Sequence, residues 1–155
     1  MFEKMLSRLF GTKPEEAPMN QTQREALIDA LVFAMMADGE MAEEERAELT
    51  RSLEGLPWTA STNREVYISA AIVRVEEAKV SRQSADALVA DISARLETIE
   101  LRERAYAQAA RIVCSDHDVV DAERGLMSMF IQHFDLDRER AIELSAQAHQ
   151  EFEVI

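Results

Sequence analysis

Residues 22–39 read TQREALIDALVFAMMADG, and this stretch decides the fold class. Leu27, Ile28, Leu31, Val32 and Met35 recur at helical spacing, and Phe33, Ala34 and Met36 fill most of the remaining circumference. A helix that is apolar nearly all round sits at the centre of a bundle, because no face of it gains from water. Thr22 and Glu25 match the Ser/Thr-x-x-Glu capping box, which places its start, and Asp38-Gly39 ends it near Ala37.

Outward from this helix the pattern stays helical. A second helix is expected over about Glu43 to Leu53, stopped by Gly55-Leu56-Pro57. Thr62 and Glu65 give another capping box, and the helix behind it carries Val66, Ile68, Ile72, Val73 and Val75. Ser84 opens a fourth through Leu88, Val89, Ile92 and Leu96. A fifth runs from about Thr98 with Tyr106, Ala109, Ala110 and Val113 on one face, and breaks at Asp116. A sixth covers about Asp121 to His133, and Asp137 caps a seventh to about Phe152. No segment alternates with period two over a useful length, and 4 Gly and 3 Pro in 155 residues are too few turn residues for an all-β chain. The expected fold is all-α, a single bundle of about seven helices.

The ends and the composition bound the rest. Phe2, Met5, Leu6, Leu9 and Phe10 share one face of a short amphipathic helix, with Glu3, Lys4, Ser7 and Arg8 on the other. Gly11 to Asn20 reads as a linker, so residues 1–19 are a leading helix and linker and 20–155 the helical domain. That leading helix either docks on its own domain or makes a weak contact with a partner or a membrane surface through residues 2–10. Seventeen bases against thirty acids give a net charge of −13, which disfavours nucleic acid as a partner. One cysteine, Cys114, excludes an internal disulfide and a cysteine-based zinc cage. No apolar run is long enough to span a membrane. The expected compartment is the cytoplasm, with membrane association through the leading helix as the variant.

The chain also repeats itself. Shifted by 78 residues, Arg24-Glu25 falls on Arg102-Glu103, and DGEMAEEER (Asp38 to Arg46) falls on DHDVVDAER (Asp116 to Arg124). Both copies read Asp-x-acid-apolar-apolar-acid-x-Glu-Arg between two helices, a duplicated helix-loop-helix. Six acids against one base lie in 38–48, and four acids with no Lys or Arg in 116–123, so most of the net charge sits in these loops. If pseudo-symmetry brings the loops together, Asp38, Glu40, Glu45, Asp116, Asp118 and Glu123 converge, and hard divalent cations favour such oxygen ligands. The spacing is not an EF-hand: Ala42 stands at position 5 and Leu49 at position 12. The same acids also suit local roles. Glu43, Glu44 and Glu45 favour a helix macrodipole, and Glu45 and Glu123 stand where the N3 half of a capping box falls.

At these residues the chain resembles the TerB family, the small all-helical domain of tellurite-resistance operons. Ala34 to Glu40 with Glu43 to Glu45 fits the family's first motif copy. Asp116, Asp118, Asp121 and Glu123 fit the second, and His133 to Leu136 resembles the approach to its last helix. The resemblance covers about residues 20–152. It implies a bacterial, non-catalytic module of the tellurite and chemical stress response that scaffolds protein partners. It also implies one divalent ion (Ca, Mg, Mn or Zn), with Asp38, Glu45, Asp116 and Glu123 as ligands and Glu40 and Asp118 behind them. His117 stands where the family has a turn glycine, and Ala42 and Val120 where a polar cap is expected. The second reading of the whole chain is a metal-free protein-interaction or membrane-surface adaptor. No catalytic residue is assigned: the Cys114 and His117 pair is better read as a buried thiol beside a turn residue, with His117 a lesser nitrogen donor to an ion. His133 and His149 read as ordinary surface or helix-end residues.

Overall fold

Asn20 begins the ordered bundle. Its Oδ1 accepts from the Gln23 N–H at 2.8 Å, and Gln23 Oε1 accepts from the Asn20 N–H at 2.9 Å, a reciprocal capping box. Helix α1 therefore spans Gln21–Met36. The expected cap at Thr22 and Glu25 is corrected by two residues, because a carboxamide pair does the work of hydroxyl and carboxylate. In this computed structural model residues 19–114 and 121–153 are described, and within them every element is helical. The leading helix expected over residues 2–10 and its linker to Pro18 lie outside the described residues.

Every residue from Ala26 to Met36 is buried, as the all-round apolar pattern requires, and α1 packs against three other helices. Its end is held from outside. Lys79 Nζ donates to the carbonyls of Met36 at 2.6 Å and Gly39 at 2.8 Å, placing a cation on the negative end of the helix. Gly39 itself has no positive φ, and a Cβ there would meet nothing within 4 Å. The break after α1 does not need a glycine.

Helix α2 (Glu43–Ser52) passes into a 3-10 turn at Leu53–Gly55. Among the described side chains, Leu49 of α2 and Leu53 of the turn reach the core, and this segment is pinned to the next helix by Arg64, which donates to the Leu53 and Leu56 carbonyls. Helix α3 (Arg64–Ala78) starts at Asn63, whose side chain accepts from the Val66 N–H at 2.9 Å, one residue past the Thr62 cap expected from sequence. Its buried residues are Ile68, Ala71, Val75 and Ala78, while Val66 and Val73 face outward. Helix α4 (Arg82–Leu96) is capped by Ser81, three residues before the expected Ser84, which instead donates its N–H to the Ser81 hydroxyl at 3.0 Å. Helices α5 (Ile99–Cys114), α6 (Asp121–His133) and α7 (Arg138–Glu153) complete a bundle of seven α-helices among the described residues.

The duplication is visible in the helix bounds. Helices α1 and α5 are both 16 residues long and start 78 residues apart, as do the starts of α2 and α6. In each copy the third helix packs on the first, although α7 starts 74 residues after α3 and the offset of 78 is not kept there.

Helix α6 closes with a Schellman turn. The Leu136 N–H reaches the Ile131 carbonyl at 3.1 Å and the Asp135 N–H the Gln132 carbonyl at 3.3 Å, with Asp135 at φ 55°. A non-glycine residue in the left-handed region carries a steric cost that glycine avoids. Asp135→Gly is therefore expected to raise stability by about 0.5–1 kcal/mol. Chemical denaturation would read it as a higher midpoint at unchanged slope; an equal or lower midpoint would show that the Asp135 side chain offsets the strain.

Candidate functional site

The candidate site is built on the segments that follow α1 and α5. The two helices pack together and start from the same end of the bundle. Gln23 Nε2 of α1 donates to the Leu96 carbonyl just before α5 at 3.3 Å, and Arg104 of α5 reaches the Met19 sulfur at 3.8 Å. Past Met36, Asp38 and Glu40 are exposed with their carboxylates toward solvent. Glu45 is half-buried at the third position of α2, and its Oε1 accepts from the Ala42 N–H at 3.1 Å. It thus fills the capping role open to it in the sequence, and Ala42 offers no side-chain acceptor in return. In the second copy Glu123 occupies the equivalent third position of α6 and is buried, with 4% exposure. Asp116, His117 and Asp118 lie outside the described residues. Among the described residues, no three His, Cys, Asp or Glu side chains are grouped to hold a metal ion.

A different polar centre lies inside the bundle. Asp29, 1% exposed, interrupts the apolar run of α1. Its Oδ1 accepts from Arg74 at 2.8 Å and from the Tyr67 hydroxyl at 3.0 Å, and its Oδ2 from Arg95 at 2.6 Å. Arg74 also stacks over the Tyr67 ring, 5.0 Å from its centroid, and Arg95 continues outward to Asp91 at 2.9 Å. Burial, reinforced by the Asp29 charge, pushes the Tyr67 hydroxyl far above its ordinary range, so it stays a donor. Trp58 packs on Tyr67 with ring centroids 5.5 Å apart and donates from Nε1 to the Thr62 carbonyl at 2.7 Å, covering the start of α3. This network joins α1, α3 and α4 at one carboxylate. The sequence signal for it was a single acid in the apolar run from Ala26 to Met36.

Two further groups have structural partners. Cys114 is a buried thiol at the last position of α5, as its repeat equivalence to Met36 predicts. His133 is not an isolated surface residue: its Nε2 lies 3.0 Å from Asp86 Oδ1, and this hydrogen bond holds the Asp86 carboxyl below its usual range. Among the described residues no helix is long and apolar enough to cross a membrane.

Fold and site together define a class: an all-helical bundle made of two pseudo-equivalent halves, each with an acidic segment between its first two helices. No protein-family model matches the chain, and no curated protein or solved structure matches it either.

Proposed function

We propose that this chain is a TerB-like, non-catalytic module of a bacterial stress response, which binds a divalent cation on its paired acidic loops and scaffolds partner proteins. The observation that supports the reading is the register of the repeat. Helices α1 and α5 share length, offset and starting end, so the acidic segments beginning at Asp38 and Asp116 follow equivalent helix ends. In this reading the two segments meet, where carboxylates repel one another unless a cation or protons intervene, and oxygen-only donors suit calcium, magnesium or manganese best.

The test is calorimetric melting of the metal-stripped chain, alone and with each of calcium, magnesium, manganese and zinc. A site filled at 100 times its Kd adds about 2.7 kcal/mol, a rise of several degrees at this chain length. The rise should be specific to one ion and absent from the Asp38→Asn, Asp116→Asn double variant. No shift with any of the four ions overturns cation binding.

The second reading, a metal-free adaptor, draws on Glu45. A carboxylate oxygen already bonded to the Ala42 N–H has less to offer an ion, and helix capping then accounts for that acid without one.

A further inference from the structure

Lys79 caps the end of α3 and reaches across to the end of α1. Its ammonium donates to the Met36 carbonyl at 2.6 Å and to the Gly39 carbonyl at 2.8 Å, so both partners are main-chain oxygens. The chain has three lysines, Lys4, Lys13 and Lys79, so every base after Lys13 other than Lys79 is an arginine. The exception has a chemical reason. An ammonium is a compact point charge that carbonyl oxygens can surround, whereas a guanidinium is a flat fork suited to carboxylates. Hard divalent cations take the same main-chain oxygens, with carboxylates beside them. Asp38 and Glu40 flank Gly39 in the chain, and both are exposed. The turn after α1 thus holds a cation on two carbonyls already, within the first acidic segment.

We propose that Lys79 sets the ion affinity of this segment, as a tethered cation that an arriving divalent ion must displace from the Met36 and Gly39 carbonyls. The inference rests on the reading that the acidic segments bind an ion. Two effects of the ammonium oppose each other. It fixes the turn, which favours binding, and it occupies two oxygen donors and repels a second cation, which disfavours it. The second effect is the larger. Without Lys79 the turn keeps a bond of its own, from the Gly39 N–H to the Met36 carbonyl at 3.2 Å, so little order is lost. A unit charge and a divalent ion a few ångströms apart repel each other enough to change an affinity about tenfold even at the dielectric of water. Lys79 therefore stabilises the ion-free segment and holds its affinity down.

Titration calorimetry of the metal-stripped full chain with calcium, magnesium, manganese and zinc tests it, beside hydrogen exchange without ion. Lys79→Met should bind the ion that wild type takes about tenfold more tightly. Lys79→Arg, which keeps the charge, should stay within about twofold of wild type. Without ion, the Gly39 amide should exchange at least about fivefold faster in Lys79→Met than in wild type, and saturating ion should return it to the wild-type rate. Lys79 is exposed, so helical content should be unchanged in both variants. Binding by Lys79→Met alone also supports the inference, as a complete block in wild type. Equal or weaker binding in Lys79→Met overturns it while leaving the ion site standing. A gain of the same size in Lys79→Arg overturns it too, since charge would not be the cause. So does a Gly39 amide that exchanges alike in wild type and Lys79→Met, since the ammonium would not be holding the turn. Failure of all four ions to bind either wild type or Lys79→Met overturns both this inference and the ion-binding reading.

Discussion

Asp29→Ala is expected to unfold the bundle on the order of 10 °C earlier than wild type. The substitution removes the one carboxylate shared by Arg74, Arg95 and Tyr67, and leaves two guanidinium groups and a hydroxyl facing a cavity. Breaking a buried ion pair from one side costs about 3–5 kcal/mol, because the abandoned charge loses both water and partner. Arg74 is 38% and Arg95 22% exposed, so each recovers some hydration, which places the expected loss near the lower end, about 3 kcal/mol. Asp29→Asn, which keeps an acceptor for Tyr67 but loses the charge, should fall between. The triple change Asp29→Leu, Arg74→Met, Arg95→Met should restore most of the loss, since apolar groups of similar volume replace buried ion pairs at little cost. Thermal melts of the three variants check this. A loss under about 1 kcal/mol in Asp29→Ala would show that Tyr67 and Asp91 already satisfy the arginines.

That network also marks where sequence reasoning stops. The apolar period of α1 says that position 29 is inside, and an acid inside must be paired. It does not say with what, because Arg74 and Arg95 are 45 and 66 residues away, and their meeting is a product of tertiary packing. The same division runs through the helix starts. The starts near Thr98, whose hydroxyl accepts from the Leu101 N–H, and near Asp121 were legible. At Asn20 and Asn63 a second polar residue lay close by and the Ser/Thr-x-x-Glu pattern selected the wrong one, while at the fourth helix Ser84 was read as the start in place of Ser81. The repeat was legible because it is a pattern of residue types at one offset, and the helix bounds reproduce that offset. Val66 and Val73 were not, because i, i+7 spacing fixes a shared face without saying which way that face points.

The repeat is nonetheless unequal in how its halves are anchored, and this sets the last expectation. Helix α6 is driven into the core by Leu126 and Phe130, and Phe134 just beyond its end stacks on Phe130 with ring centroids 5.0 Å apart and planes 14° from parallel. The equivalent of Phe130 in the first copy is Ser52, so α2 carries no ring at that position, and among the described residues it reaches the core through Leu49, with Leu53 just beyond its end. Phe130→Ala should therefore cost about 3–5 kcal/mol, transfer loss and cavity together, and lower the melting temperature by roughly 10 °C as one cooperative transition. Leu49→Ala removes a side chain just as buried, but from a helix few others touch. Its effect should appear chiefly as faster hydrogen exchange across Glu43–Ser52, with α1 and α5 amides still opening only with the whole bundle. If Phe130→Ala instead left the melt within about 1 kcal/mol of wild type, the aromatic stack would not be part of the core. If Leu49→Ala accelerated exchange in α1 as much as in α2, the two copies would be anchored alike.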